Sequence, residues 1–146
     1  MASTTSHAVL NAINSESLNI PIKQMLIAFV RLMESENGKF LFLNTLNNGT
    51  KVFRYAGETL SQLEKELVKK SLSAKSAKFF LPGQYIFDDE ANEIGSLEKS
   101  YLTCPLRIAG VNMGAILLGN KKNGNYFDET DLQLAETFSL TFTKTI

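Results

Sequence analysis

The sequence is very poor in the two residues that most often carry metal or thiol chemistry. Cys104 is the only cysteine and His7 the only histidine among 146 residues. A single thiol excludes an intramolecular disulfide. One cysteine and one histidine also supply too few nitrogen and sulfur ligands for a zinc site. We therefore predict no metal and no cofactor, and we interpret Cys104, which lies among apolar neighbours, as a small buried side chain.

Long apolar runs are also missing. The stretches Leu26–Val30 and Ala115–Leu118 are interrupted by Arg31 and Gly119, whereas a bilayer span needs roughly 20 apolar residues. The first residues show neither the basic nor the apolar region of a signal peptide. We predict a cytoplasmic domain that makes no membrane contact of its own.

Charge of either sign is not in excess. Fifteen basic and fifteen acidic residues give a formal net charge of zero, so composition does not require a basic face for nucleic acid, and we predict no nucleic-acid partner. The hydrophobic share of 44% and charged share of 21% are typical of a globular domain. Residues 1–146 fit a single domain, with 1–6 as a polar lead-in.

Three segments have the apolar spacing of amphipathic helices. The first begins near Ser17 and ends at Asn37 and Gly38, and a short helix from about His7 to Ile13 precedes it. The second runs from about Leu60 to Leu72 and is capped by Thr59 or Ser61. The last begins after the cap Asp128 and runs to Ile146 without a stop signal, so we expect it to continue into a further domain of a longer parent protein.

Five segments predict strands, and the segment 84–99 has no regular period. The strands span residues 40–46, 51–56, 78–81, 101–108 and 111–119, with a tight Asn47–Gly49 turn joining the first two. The last two are apolar at nearly every position, which indicates a sheet covered on both faces. We predict an α/β (α+β) fold: a central antiparallel sheet of five or six strands, the terminal helices on one face, and a variable helix and loop segment over the other.

The last 46 residues carry a family likeness. A strand containing Pro105-Leu106 is followed by the turn Ala109-Gly110 and a second strand containing Gly114; the remaining marks are Asn120, Lys121, Phe127, Asp128 and Asp131. In this order they resemble the C-terminal half of a GAF domain. The resemblance implies a sensory or regulatory module of the kind found in bacterial signalling proteins, which binds a small molecule.

Four of these residues form a recognisable set, made up of Asn120, Lys121, Phe127 and Asp131. The set resembles that of the cyclic-nucleotide-binding branch, but Leu132 stands where that branch has a glutamate. We interpret it as a structural clamp in which Lys121 pairs with Asp131 and Phe127 plugs the loop into the core. We expect the pair to be partly exposed and to contribute less than about 1 kcal/mol.

The resemblance also bears on catalysis. Bilin-attaching GAF domains use a cysteine followed by histidine, whereas Pro105 follows Cys104 here. The GAF-type reductases of free methionine sulfoxide work through several cysteines, and one thiol cannot both attack and resolve. We predict no catalytic residues and no enzymatic activity.

The ligand of a GAF domain lies between the sheet and the irregular segment, on the face away from the terminal helices. The resemblance therefore predicts a pocket bounded by Arg54, Tyr55, Phe79, Phe80, Tyr85, Phe87, Asp88, Asp89, Tyr101 and Thr103. Arg54 is the expected partner of an anionic ligand group, unless the run Asp88–Glu90 pairs with it first. Alternatively, these aromatic side chains simply fill the core.

Apolar residues on the first and last helices provide a third candidate surface: Met25, Phe29, Leu32, Leu134, Phe138 and Phe142. In GAF modules these helices often pair across a two-fold axis, so we expect a homodimer. Two hypotheses stay open: a ligand-binding sensory module with a dimeric helix bundle, and a ligand-free dimerisation or protein-interaction module.

Overall fold

A computed structural model describes residues 19–44, 49–55 and 59–145 of the chain. The elements in this part of the chain are α1 (Asn19–Leu32), β1 (Ser35–Asn44), β2 (Gly49–Tyr55), α2 (Gln62–Ser73), β3 (Lys78–Phe80), β4 (Tyr85–Phe87), β5 (Glu93–Ser96), β6 (Tyr101–Ile108), β7 (Val111–Lys121) and α3 (Glu129–Thr145). The predicted helix from His7 to Ile13, and residues 45–48 of the predicted hairpin loop, lie outside the described residues.

The predicted central sheet is confirmed. Five strands in the order β2-β1-β7-β6-β3 form it, and each neighbouring pair is antiparallel. The β6–β7 hairpin pairs Leu102 with Leu118, and β1 and β2 pair from Gly38↔Tyr55 to Asn44↔Gly49. Strands β4 and β5 form a separate ribbon within the segment that had no regular period.

Both faces of the sheet are buried, which explains its continuous apolar strands. Successive side chains of a strand point to opposite faces. In β1, Phe40 and Phe42 join one core while Leu41, between them, joins the other. In β7, Ile116 and Leu117 divide between the cores in the same way. A polar residue in the middle of these strands therefore has an apolar layer on whichever side it faces.

The terminal helices α1 and α3 pack together on one face, as predicted. The Phe29 ring of α1 stacks on Phe138 of α3 at 4.1 Å between centroids. Phe142 of α3 meets Phe40 edge-on at 5.2 Å and stacks on Phe42 at 5.8 Å. Such aromatic contacts add about 0.5–1.5 kcal/mol each beyond simple burial, so strand β1 is held firmly to both helices.

Helix α2 and the β4–β5 ribbon cover the other face. Ser61, rather than Thr59, is the N-cap of α2: its hydroxyl accepts the Glu64 N–H, and the Glu64 carboxylate accepts the Ser61 N–H in return. Leu67 of α2 and Ile86 of the ribbon are buried in the same core. The ribbon is therefore anchored to both the helix and the sheet.

The predicted end of the first helix is wrong. Helix α1 ends at Leu32, and Asn37 and Gly38 lie inside strand β1. A Cβ on Gly38 would lie 2.5 Å from Cγ2 of Val30, so the glycine lets the strand approach α1 closely. An Asn-Gly pair resembles a helix stop signal, but here the glycine is required by the packing of the strand against α1 and not by the end of a helix.

The expected contact between Lys121 and Asp131 is present, at 2.7 Å between Nζ and Oδ2. The pair is less exposed than expected: the Lys121 side chain is 14% exposed and that of Asp131 only 6%. The Lys121 ammonium lies 5.9 Å from the Phe127 ring centre, and Phe127 itself is 1% exposed. Asp131 and Asp128 also exchange backbone-to-carboxylate hydrogen bonds at the start of α3.

Asn120 contributes at a different point. Its backbone N–H donates to the Ser100 carbonyl at 2.6 Å, and its side-chain amide donates to Glu36 Oε2 at 2.9 Å. Asn120 has φ 62°, in the left-handed region that asparagine tolerates. It therefore joins the end of β7 to neighbouring segments, while Lys121 and Asp131 join β7 to α3.

We expect Phe127→Ala to lower the free energy of unfolding by about 3 kcal/mol through lost burial and a cavity. Lys121→Met should cost about 2 kcal/mol, between the values for exposed and fully buried pairs, because it leaves the buried Asp131 carboxylate without its cation. Urea unfolding measures both. Lys122→Met, on an exposed neighbour, is the control, and a Lys121→Met cost no larger than that of the control would contradict the clamp.

Candidate functional site

The predicted ligand residues do not line one common cavity, because alternation along the strands divides them between the two faces. Arg54 pairs across strands with Lys39 and faces α2, but its neighbour Tyr55 packs against the core of the terminal helices. Phe79 also packs against that core, whereas Phe80 is buried on the α2 side. Tyr55 and Phe79 therefore lie on the face opposite the predicted pocket.

The predicted ligand residues of the β4–β5 ribbon are exposed or form contacts within the ribbon. Tyr85 and Phe87 point outward and are 58% and 45% exposed. Asp88 accepts the backbone N–H groups of Asn92 and Glu90, and the Asn92 bond is the main cause of its lowered pKa. The acidic run Asp88–Glu90 is thus engaged, in part, within its own turn.

Asp89 makes the second contact of this acidic run. Its carboxylate lies 2.7 Å from the Lys69 ammonium of α2. That hydrogen bond lowers the pKa of Asp89 and raises the pKa of Lys69. Both side chains are more than half exposed, so the pair contributes little stability. Asp89 is paired with α2 and not with Arg54.

An open cleft of about 470 Å³ lies on the α2 face of the sheet, the face on which a pocket was predicted. It is bounded by β1, by the start of α2 and by the residues between β5 and β6. Of the ten predicted ligand residues, Tyr101 lines it; Thr103 is buried beneath the same face. The lining consists of Asn37, Lys39, Thr59, Ser61, Leu63, Glu64, Ser96, Leu97, Glu98, Lys99 and Tyr101.

Lys39 is the unusual member of the lining. It lies in the middle of β1 and is 2% exposed. Burial is the main cause that lowers its pKa; Arg54 and Lys99 lower it further, and Glu64 opposes them. Among the described residues, no carboxylate lies within 4 Å of its ammonium as an ion pair. A buried ammonium without a close acceptor is costly.

Glu64 is committed to other partners. Its Oε1 accepts the Ser61 N–H at 2.9 Å, and its Oε2 accepts the Tyr101 hydroxyl at 3.0 Å. Burial, and then the charge of Glu64, raises the pKa of Tyr101 well above its usual range. Tyr101 therefore stays a neutral hydroxyl that donates to Glu64, and the carboxylate helps Lys39 only through its charge at a distance.

Neither a protein-family model nor a curated protein matches this sequence, but solved structures do. A methyl-accepting chemotaxis protein is 11% identical with a TM-score of 0.66, over 95% of this chain and 92% of that one. A GAF domain/HD domain protein from Geobacter sulfurreducens is 14% identical with a TM-score of 0.61, over 88% and 91%. The GAF domain of an Acinetobacter phosphoenolpyruvate-protein phosphotransferase is 18% identical with a TM-score of 0.60, over 97% and 89%.

The chain has the fold of a GAF domain. At identities of 18% or less the likeness is one of fold, and it confirms the fold that the C-terminal residues predicted. Function depends on the site and not on the fold alone.

A second cleft of this GAF fold, of about 320 Å³, lies between β6 and α3 beside Cys104. The thiol is 1% exposed, and its sulfur lies 3.7 Å from the carbonyl oxygens of Pro105 and Ala135. Burial raises the pKa of Cys104 from 9.0 to about 12. The thiolate, which is the nucleophilic form, is therefore strongly disfavoured at neutral pH.

Across residues 19–44, 49–55 and 59–145, no three His, Cys, Asp or Glu side chains gather as metal ligands would. No helix within these ranges has both the length and the apolar character needed to cross a bilayer.

Burial of Cys104 predicts a pH dependence of stability. Because its pKa is raised in the folded state, its contribution is fully present below the unfolded value near 9 and is lost as pH rises towards 12. The free energy of unfolding of the wild type should therefore fall more steeply above pH 9 than that of Cys104→Ala. Urea unfolding in steps from pH 7 to 11 measures the difference, and parallel curves would contradict a buried, neutral thiol.

Proposed function

We propose that this GAF-fold chain is a non-catalytic, cytoplasmic sensory or regulatory module that binds a small ligand in the Lys39 cleft and relays the signal through α1 and α3. The fold likeness to domains of a chemotaxis protein and of a phosphotransferase supports a regulatory role. The cleft supports ligand binding, since it is concave and combines polar and charged side chains with the apolar surface of Leu63, Leu97 and Tyr101. The relay rests on two contacts that lead from the cleft to α3.

Strand β1 provides the first contact and is the observation that carries the proposal. Lys39 faces the cleft, and the next residue, Phe40, faces the terminal helices, where it meets Phe138 and Phe142 at 6.0 and 5.2 Å between ring centres. A shift of β1 on ligand binding would therefore change the packing of α3. Close-packed cores transmit such shifts because they contain few voids.

Ser100 provides the second contact. It follows the cleft wall Ser96–Lys99 directly and is fully buried. Its hydroxyl accepts the Phe127 N–H at 3.1 Å, just before α3 begins, and its carbonyl accepts the Asn120 N–H. Movement of the cleft wall would reach the start of α3 through this residue. The ligand shifts the equilibrium only if it binds one arrangement better than the other.

The relay predicts a specific result in hydrogen exchange. A screen for ligands that raise Tm identifies the binder, because a ligand of the native state stabilises it. That ligand should slow exchange of the Phe127 amide and of the first turn of α3. Ser100→Ala should retain binding within about threefold, since Ser100 does not line the cleft, but it should lose the effect on α3.

Ser76→Ala, at an exposed serine remote from the Lys39 cleft, is the matched control and should keep both binding and the α3 response. Tight binding with unchanged exchange in α3 of the wild type would show that the relay is wrong. A screen that finds no ligand for the cleft would contradict the proposed sensory function.

The ligand-free interaction module is the second candidate, and exposed apolar residues on the terminal helices favour it. Ile20 and Leu32 of α1 are 70% and 56% exposed, and Leu134 and Leu140 of α3 are 40% and 61% exposed. These exposed apolar residues would be removed from water in a homodimer that packs the terminal helices together.

For this candidate we expect a dimer by size-exclusion chromatography with light scattering. Leu140→Glu should shift the protein to the monomer, since it places a charge in the apolar contact. Val111→Glu, at a residue that is 42% exposed at the far end of the β6–β7 hairpin, is the control and should leave the dimer unchanged. A monomeric wild type would contradict this second candidate.

A further inference from the structure

Resting on the proposed function, we infer that the ligand of the cleft carries an oxyanion, a carboxylate or a phosphate, and that the Lys39 ammonium binds it. The proposed contact lies where β1 forms the sheet wall of the cleft. It assigns a role to a residue in the middle of a buried strand, where an apolar side chain is the usual occupant.

Lys39 has no ion-pair partner among the described residues. The residue as a whole is 2% exposed and lines the open cleft, and proteins normally provide a lysine in such a position with a carboxylate or several carbonyl oxygens. Each oxygen of Glu64 already accepts one hydrogen bond, from Ser61 and from Tyr101, and neither is in an ion pair with Lys39. A ligand oxyanion entering the cleft would supply the close acceptor that the described residues do not provide.

Charged side chains surround the Lys39 ammonium. Arg54 is the cross-strand partner of Lys39 on β2, and Lys99 lies in the wall of the cleft; both act on Lys39 electrostatically. Among the described residues, the carboxylates that line the cleft are those of Glu64 and Glu98. The described lining thus carries two lysines against two glutamates, and Arg54, which lies outside the lining, adds a positive charge at longer range that favours an anion over a cation.

The geometry also explains why Arg54 is not the principal contact. Arg54 is exposed at the outer strand β2 and does not line the cleft, whereas Lys39 does. A charged hydrogen bond is stronger where water is excluded. Lys39 therefore anchors the oxyanion, and Arg54 and Lys99 add attraction at longer range.

The experiment uses two anionic probes, inorganic phosphate and succinate, with 1,4-diaminobutane as the cationic probe and chloride to hold the ionic strength constant. Amide NMR spectra follow binding to β1 and to Ser96–Lys99. We expect phosphate or succinate to shift these amides in a saturable way, the stronger of the two identifying the oxyanion, and the diamine to shift none of them.

Substitutions of Lys39 test whether its ammonium binds the anion. Lys39→Met should weaken anion binding about tenfold or more, as expected for loss of one charged hydrogen bond. Lys39→Arg should retain binding better than Lys39→Met, and Lys122→Met, at an exposed lysine outside the cleft, should match the wild type. Without ligand, Lys39→Met should unfold at a Tm equal to or above that of the wild type, because it removes a largely buried charge for which the described residues provide no ion pair. This Tm also shows that the variant is folded.

Two outcomes would overturn the inference. The first is a cleft that binds neither anion. The second is anion binding that Lys39→Met leaves unchanged. If a neutral molecule from the ligand screen then shifted the same amides, the proposed sensory function would stand without the anion; if no molecule did, the proposed function would fail as well.

Discussion

Burial of the central sheet on both faces is the constraint on which the rest of the structure depends. Strand β7 lies so close to β1 at Gly114 that a Cβ on this glycine would lie 2.1 Å from the Leu41 carbonyl oxygen. Each strand residue must enter one of two apolar layers, and both layers are filled. A charged residue in the middle of β1 has little access to water unless a cleft opens beside it. Lys39 lines such an open cleft, which lowers the cost of placing its charge in the sheet.

The sheet and helices were largely predictable because their signals are local. Apolar runs in 101–108 and 111–119 indicated a doubly covered hairpin, and the helical spacing from Ile22 to Met33 indicated α1. The end of α1 was misplaced because Asn37 and Gly38 have the composition of a stop signal. Only the packing of Gly38 against Val30 shows why a glycine is needed within the strand.

The site was less predictable because it depends on which face of the sheet each strand residue occupies and on the register between the strands. Arg54 and Tyr55 were predicted to line the same pocket. Adjacent residues of a strand face opposite sides of the sheet, so these two cannot do so. Arg54 lies on the cleft side of the sheet because it pairs with Lys39, and this register depends on where the two strands end and on the turn between them. Lys39 was not predicted as a site residue because the misplaced helix end put it next to a turn, where an exposed lysine is common.

The cleft and the pair of terminal helices lie on opposite faces of the same sheet. Lys39, on the cleft side, is a largely buried cation without an ion pair among the described residues, and the central claim is that an anion binds to it. NMR titration of the lysine side chains, assigned with Lys39→Met, tests this directly. We expect a Lys39 pKa below that of the exposed lysines, which rises when succinate or phosphate is added, because an anion stabilises the charged form. A Lys39 pKa in the usual lysine range that neither anion moves would contradict the claim.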